Sequence, residues 1–296
     1  MIWRAVPGPA VWDNVPKVLS RSIFGLIIMA GACVIANSQW LTYPTPGIPR
    51  MRDGKPNLTA PARLAAGGKP DLSGVWQAEP TPVAEMTRLF GDLSPFSALG
   101  DSPSAFSKYL VNILVDVKPG EASLRPEFAG LLRERSKEDT PLLHCLPIGV
   151  PADDLIPGPF KIIQTPGLML IRNEYENTLR QIYTDGRKAP ADPDPLWLGY
   201  SVGKWEGDTM VVATVGFNDK GWLDGMGHPH SEALHVVERF HRRDFGHMDM
   251  QVTVDDPKMY THPFSIKFTA LLLPDTDVTE YFCNENERDG THSKGN

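Results

Sequence analysis

Three of the eight histidines in this 296-residue chain, His228, His230 and His235, fall together in GHPHSEALHVVERF, residues 227–240. His228 and His230 are two positions apart, so an extended backbone turns both to one face, the arrangement of a His-x-His pair that holds a divalent metal. A third ligand would come from His235 or Glu238. In an unbroken strand His235 points away from His230, and only a bend after Pro229 would bring it round. The spacing does not fit the helical His-Glu-x-x-His pattern.

The same stretch allows acid-base chemistry without a metal. Alternation in ALHVVERFHRR puts Leu234, Val236, Glu238 and Phe240 on one face and His235, Val237, Arg239 and His241 on the other. The first face is the apolar one, so Glu238 is expected among buried neighbours. There an unpaired carboxylate is costly and its pKa rises, which suits a general acid or base. The alternative is a structural ion pair inside the fold, with Arg172 or Arg180 as partner.

Charge follows an apolar run again in LMLIRNEYENTLRQIYTDGR, where Leu168, Leu170, Arg172 and Glu174 share a face. Facing inward, Arg172 would stabilise an anion or oxyanion beside Glu238, and Glu174 would contact substrate. Facing outward, the two form a solvated pair. The glycine-rich segment GFNDKGWLDGMGHPH, residues 216–230, reads as a long loop of the kind that carries function at a barrel mouth. Its Trp222, with Trp197 in DPDPLWLGY and Tyr183 on a neighbouring strand, would supply an aromatic rim for a small organic molecule or sugar.

Other chemistries lack their motifs. There is no P-loop, no dinucleotide Gly-x-Gly-x-x-Gly and no Gly-x-Ser-x-Gly elbow around Ser231. No redox cofactor is implied, and none is required beyond an optional divalent metal. The aspartate pairs 153–154 and 255–256 sit at turn positions and read as turn formers. A formal charge of -7, from 36 acidic and 29 basic side chains with no segregated basic patch, argues against nucleic-acid partners and anionic membranes.

The elements that would position these residues are mainly strands. Lys17 and Arg21 precede the apolar run 23–36, whose about 14 residues match a signal-peptide core rather than the roughly 20 of a membrane span. Residues 1–38 are therefore expected to be an export signal, and the protein periplasmic or secreted, with no other membrane contact. An uncleaved anchor and lipidation of Cys33 are the alternatives. Removing the signal leaves Cys145 and Cys283, an even pair that suggests a disulfide in an oxidising compartment.

Residues 39–70 form a Pro- and Gly-rich arm in which GKPNL at 54–58 returns as GKPDL at 68–72. A single domain over 71–296 follows, with its first strand in DLSGVWQA and two or three helices inserted at about 80–140, in FSKYLVNILVDV and RPEFAGLLRERSKE. From there the text is strand-like: FKIIQT, LMLIRNEYE, LRQIYTD, YSVGKWE, TMVVATVGF, ALHVVERFHRR, HMDMQVTVD, FSIKFTALLL and VTEYFC. Short links between them predict an antiparallel meander curled into a barrel.

The stretches GKPDLSGVW, PFKIIQTPG, GYSVGKWEGDTMVV, GFNDKGWLD, GHPHSEALHVVERF and EYFCNENE resemble a family of exported bacterial proteins common in soil bacteria. The resemblance implies export and supplies no activity. GVW at the start of a first strand also resembles the Gly-x-Trp opening of lipocalin-like barrels. Two functions follow as expectations. One is an exported barrel enzyme of lyase, isomerase or hydrolase type, with Glu238 as acid or base, His228 and His230 as proton-transfer partners or ligands, and Arg172 stabilising an anion. The other is a non-catalytic lipocalin-like binder of an apolar or aromatic ligand, which requires a cavity without convergent ionisable groups. A flat, Trp-bearing envelope scaffold is the third possibility.

Overall fold

The computed structural model describes residues 44–91, 106–118, 120–135 and 140–283. The expected export signal over residues 1–38, with Cys33, lies outside the described residues. Among those described, no helix is long and apolar enough to cross a membrane.

Nine strands close into a barrel in which each neighbours the next and the ninth returns to the first. They are β1 (Gly74–Ala78), β2 (Phe160–Thr165), β3 (Leu168–Asn173), β4 (Leu179–Tyr183), β5 (Tyr200–Glu206), β6 (Thr209–Val215), β7 (His235–Arg242), β8 (His247–Asp255) and β9 (Phe264–Leu272). The shape is lipocalin-like. Alternation sets the register: β7 is buried at Val236, Glu238, Phe240 and Arg242, and β8 at each second residue from Met248 to Val254. Gly207, at φ 60°, makes the tight link from β5 to β6. One pairing departs from the meander: β4 and β5 run parallel through Ile182↔Ser201 and Tyr183↔Val202. The Pro-rich connection over residues 184–199 is long enough to carry the chain back to the same end, which a two-residue turn cannot do.

VTEYFC is not a strand. With β1 pairing both β2 and β9, the ring offers it no free edge. Residues 274–283 instead run as a strap over the outer face, held at Thr279 by Arg172 and Glu174 and at Cys283 by a disulfide to Cys145, with Cα atoms 5.7 Å apart.

One end of the barrel is sealed. Trp76 is fully buried and donates its indole N–H to Leu72 O, and the Arg242 guanidinium stacks 4.9 Å from the centroids of both Trp76 and Phe245 while donating to the carbonyls of Asp71 and Phe245. Gly74, at φ 151°, is required here, because a Cβ would come within 2.6 Å of Leu272. The arm wraps this end, and its sequence echo is a structural repeat. Met51 N to Lys55 O, Gly54 N to Met51 O and Asn57 N to Pro49 O recur as Ala65 N to Lys69 O, Gly68 N to Ala65 O and Asp71 N to Arg63 O.

The insertion carries three short helices among its described residues: α1 (Val83–Phe90), α2 (Lys108–Val111) and α3 (Ala129–Arg135). FSKYLVNILVDV supports only α2. Its apolar residues Phe106, Tyr109, Leu110, Val111 and Ile113 are all buried, since the segment is packed on several sides rather than along one stripe. Two apolar clusters result: Trp76, Met169, Ile171, Ile182, Met210 and Phe240 fill the sealed end, while Val236, Val252, Val254 and Ile266 join the insertion at the other.

Candidate functional site

Between those clusters lies a buried polar layer. Stepping along β7, Val236 belongs to one cluster and Phe240 to the other, with Glu238 between them at 0% exposure. Equivalent inward positions one step beyond the sealed-end residues carry Asn173 on β3, Arg180 on β4 and Thr214 on β6. Arg180 donates from Nη1 to Glu238 Oε1 at 2.9 Å and from Nη2 to Glu238 Oε2, a bidentate pair, and it also reaches Ser201 Oγ at 3.1 Å and Thr214 Oγ1 at 2.8 Å. The short 3-10 turn Ala152–Asp154 inserts two more carboxyls. Asp153 accepts from Asn173 and Thr178, whereas Asp154 Oδ2 is a buried atom with no hydrogen-bond partner, 4.0 Å from Arg180 Nη1.

Three carboxyls around one guanidinium cannot all be ionised in a dry interior. Burial, and then the charge on Glu238, hold Asp154 well above the usual carboxylate range, so it keeps its proton. Burial pushes Asp153 up to about 6. Burial opposes the charge on Arg180, but Glu238, Asp154 and Asp153 together raise its pKa. Glu238 therefore lies on the inner face that alternation assigns it, but it is neutralised by Arg180 and sealed away, in the structural ion-pair arrangement. The acid-base expectation rested on an unpaired carboxylate, and Glu238 is paired with Arg180 instead.

The second buried system is built by the loop 216–230. Asp224, 1% exposed, accepts four hydrogen bonds: Met226 N and His228 N on Oδ1, and Ile113 N at 2.7 Å and His228 Nδ1 at 2.5 Å on Oδ2. One carboxylate thus orders its own loop, ties the loop to the insertion and fixes His228 in the tautomer with hydrogen on Nδ1. Among the described residues Nε2 has no hydrogen-bond partner, and with hydrogen on Nδ1 it is the acceptor of the neutral ring. Leu223 N to His228 O, Gly225 N to Leu110 O, the bridge Trp222↔Pro229 and the Tyr260 hydroxyl on Pro229 O complete a rigid loop. His230 is buried against Gly221, where a Cβ would stand 2.7 Å from its Nε2, and burial lowers its pKa.

Above the insertion this loop walls a cavity of about 140 Å³. Its described lining includes Phe106, Leu110, Ile148, Ile156, Tyr175 and Trp222, with no strand residue, and Asp224 is its one carboxylate among the described residues. The cavity thus sits outside the barrel. The barrel interior, where a lipocalin would hold its ligand, is filled by the polar layer and the two apolar clusters. Glu176, next to Tyr175, accepts from Ile148 N at 3.1 Å, and burial followed by the charge on Asp153 pushes it up to about 8.

The remaining expected site residues are dispersed. Arg172 and Glu174 face outward, since β3 buries Met169, Ile171 and Asn173, and they hold the strap at Thr279 instead of facing Glu238. His235 is exposed on the outer face of β7, so it does not join His228 and His230 as a ligand, and among the described residues no three His, Cys, Asp or Glu side chains gather around a metal position. Tyr183 stacks on Tyr200 at 5.2 Å under Arg187 on the barrel exterior. Trp197 is half-buried and outside the described lining of the Trp222 cavity. Of the expected rim only Trp222 meets the cavity. The roles that the sequence did not show are those of Asp153 and Asp154, read only as turn formers but buried in the polar layer, and of Asp224, whose only signal was an aspartate four residues before a histidine in a loop. No protein-family model, curated protein or solved structure matches this chain.

Proposed function

We propose that this protein is a non-catalytic binder of a small apolar or single-ring aromatic molecule, held in the cavity beneath Trp222. The observation that carries the reading is the lining: apolar side chains from loops and insertion, with the one described carboxylate, Asp224, already saturated by four hydrogen bonds. Size decides the ligand class. A dry cavity of about 150 Å³ lined by apolar side chains takes up benzene, whereas drug-sized ligands and sugars occupy roughly 300 Å³ or more. The volume of about 140 Å³ suits one ring. Export is part of the same reading, supported by the Cys145–Cys283 bridge, which persists in oxidising compartments, and by the apolar run 23–36.

Toluene should raise the melting temperature and quench Trp222 emission, and Leu110→Trp, which fills the cavity with its own ring, should remove both effects. A thermal shift from glucose that toluene does not produce would overturn the assignment.

A second reading is favoured by the Asp224–His228 pair alone. A histidine with Nδ1–H fixed by a buried carboxylate is poised to accept a proton at Nε2. Lyase, isomerase or hydrolase chemistry would then run through His228, with Asp224 orienting it, and Glu238 would play no part. Turnover that His228→Gln abolishes while toluene binding persists would establish this reading over plain binding.

A further inference from the structure

The sealed end of the barrel carries a pocket of about 270 Å³, separate from the Trp222 cavity, where the arm and the strap meet β1, β2 and Arg242. Its wall combines the apolar side chains Val75, Phe245 and Leu272 with the cations Arg63, Lys161 and Arg242. Two of these cations have carboxylate partners. Lys161 donates to both oxygens of Asp277 at 2.7 Å, and Arg63 grips Asp71 at 2.5 Å through Nη2. Arg242 differs from both: it is 4% exposed, and among the described residues it forms no ion pair.

Its three hydrogen bonds go to the carbonyls of Asp71, Asp244 and Phe245, and its guanidinium carbon lies 4.9 Å from the ring centroids of both Trp76 and Phe245. A guanidinium has five N–H groups, so one hydrogen on each terminal nitrogen is left over. The nearest carboxylates are engaged elsewhere, Asp71 by Arg63 and Asp244 by the backbone of Gly246 and His247 and by the His247 ring. Buried charges in proteins are ordinarily paired, and a planar guanidinium with hydrogen on both terminal nitrogens matches a carboxylate. We propose that this pocket binds a small amphipathic monocarboxylate, its carboxylate on Arg242 and its apolar body against Val75, Phe245 and Leu272. The site is independent of the Trp222 cavity and takes the opposite kind of ligand, charged at one end rather than neutral throughout.

Calorimetry on the full chain with benzoate, and with benzamide as its neutral isostere, tests this. Benzoate should bind at least about tenfold more tightly than benzamide, and Arg242→Lys, which keeps the charge but loses the fork, should remove that preference. Because Arg242 also packs the sealed end, Leu273→Trp provides a second test: it narrows the pocket without touching the guanidinium and should block benzoate. Leu110→Trp, on the other cavity, should leave benzoate binding unchanged. Equal binding of the two probes, no benzoate binding at all, binding that survives Leu273→Trp, or binding lost with Leu110→Trp would each overturn the proposal. The Trp222 reading is judged by toluene and is untouched by these outcomes.

Discussion

Glu238 and Asp224 are both carboxylates with no more than 1% exposure, yet they are buried by different means. Glu238 stands on a strand whose alternation turns it inward, and its partner Arg180 comes from another strand of the ring, held there in turn by Ser201 and Thr214 from two more. Asp224 lies on a loop, and three of its four hydrogen bonds stay within that loop while the fourth reaches the insertion. The first is an ion pair of which the barrel could not lose one member without leaving its partner a poorly matched charge. The second is a staple that shapes a surface-side cavity. The carboxylate placed by strands is thus matched by a guanidinium, and the cavity opens where loops rather than strands do the enclosing.

The largest expected effect breaks the first system. Glu238→Ala removes the bidentate partner of the buried Arg180, leaving it only the more distant Asp154 at 4.0 Å, and should cost about 3 kcal/mol in urea unfolding, while the double change Arg180→Met/Glu238→Leu should cost far less, since removing a buried pair together is often near neutral. A single-variant loss no larger than the double's would show that the pair is not structural. Next, Cys145→Ser/Cys283→Ser removes a bridge with a sequence separation of 138 residues and should cost about 3 kcal/mol. It should also weaken toluene binding, because Pro141 and Leu142, close to Cys145, line the cavity.

Asp224→Asn acts on the second system and should cost about 1 to 2 kcal/mol through imperfectly satisfied buried amides. The readout specific to the staple is hydrogen exchange: the Ile113 amide should lose protection while Val252 and Val254 on β8 keep theirs. Unchanged exchange at Ile113 would remove the staple.

The smallest effect is a slope. Asp153 and Glu176 have folded pKa values raised to about 6 and about 8, so the folded state binds more protons than the unfolded chain above the ordinary carboxylate pKa near 4. Their contribution to stability is therefore greatest below that value and falls as pH rises through 6 towards 8. His230 opposes this, since its lowered pKa makes stability rise as pH climbs towards the ordinary histidine value. Glu176→Gln should flatten the decline between pH 6 and 8 in a series of thermal unfolding scans, and an unaltered slope would assign it to other groups.

Much of the barrel was legible because strands repeat every two residues. That period placed β2 to β9 and turned Glu238 inward, and the long glycine-rich run marked 216–230 as a loop. It failed at VTEYFC, since composition favours a strand there but closure of the ring leaves nothing to pair with. The period also could not say which face of β3 is inner, because Leu168, Leu170 and Met169, Ile171 are equally apolar. Arg172 and Glu174 were therefore open to either reading, and the structure turns them outward. Loop residues carry no period at all, so Asp153, Asp154 and Asp224 read as turn formers or plain loop aspartates.

By itself, then, the sequence determined the strand pattern, the placement of the cysteines, the excess negative charge and the inward position of Glu238, because each follows from local periodicity or composition. Only the tertiary structure decided which arginine meets Glu238, that the barrel fills its own interior, and that the cavity lies under Trp222. Those outcomes depend on contacts between segments far apart in the chain, and no local pattern encodes a partner that closure of the ring brings into reach.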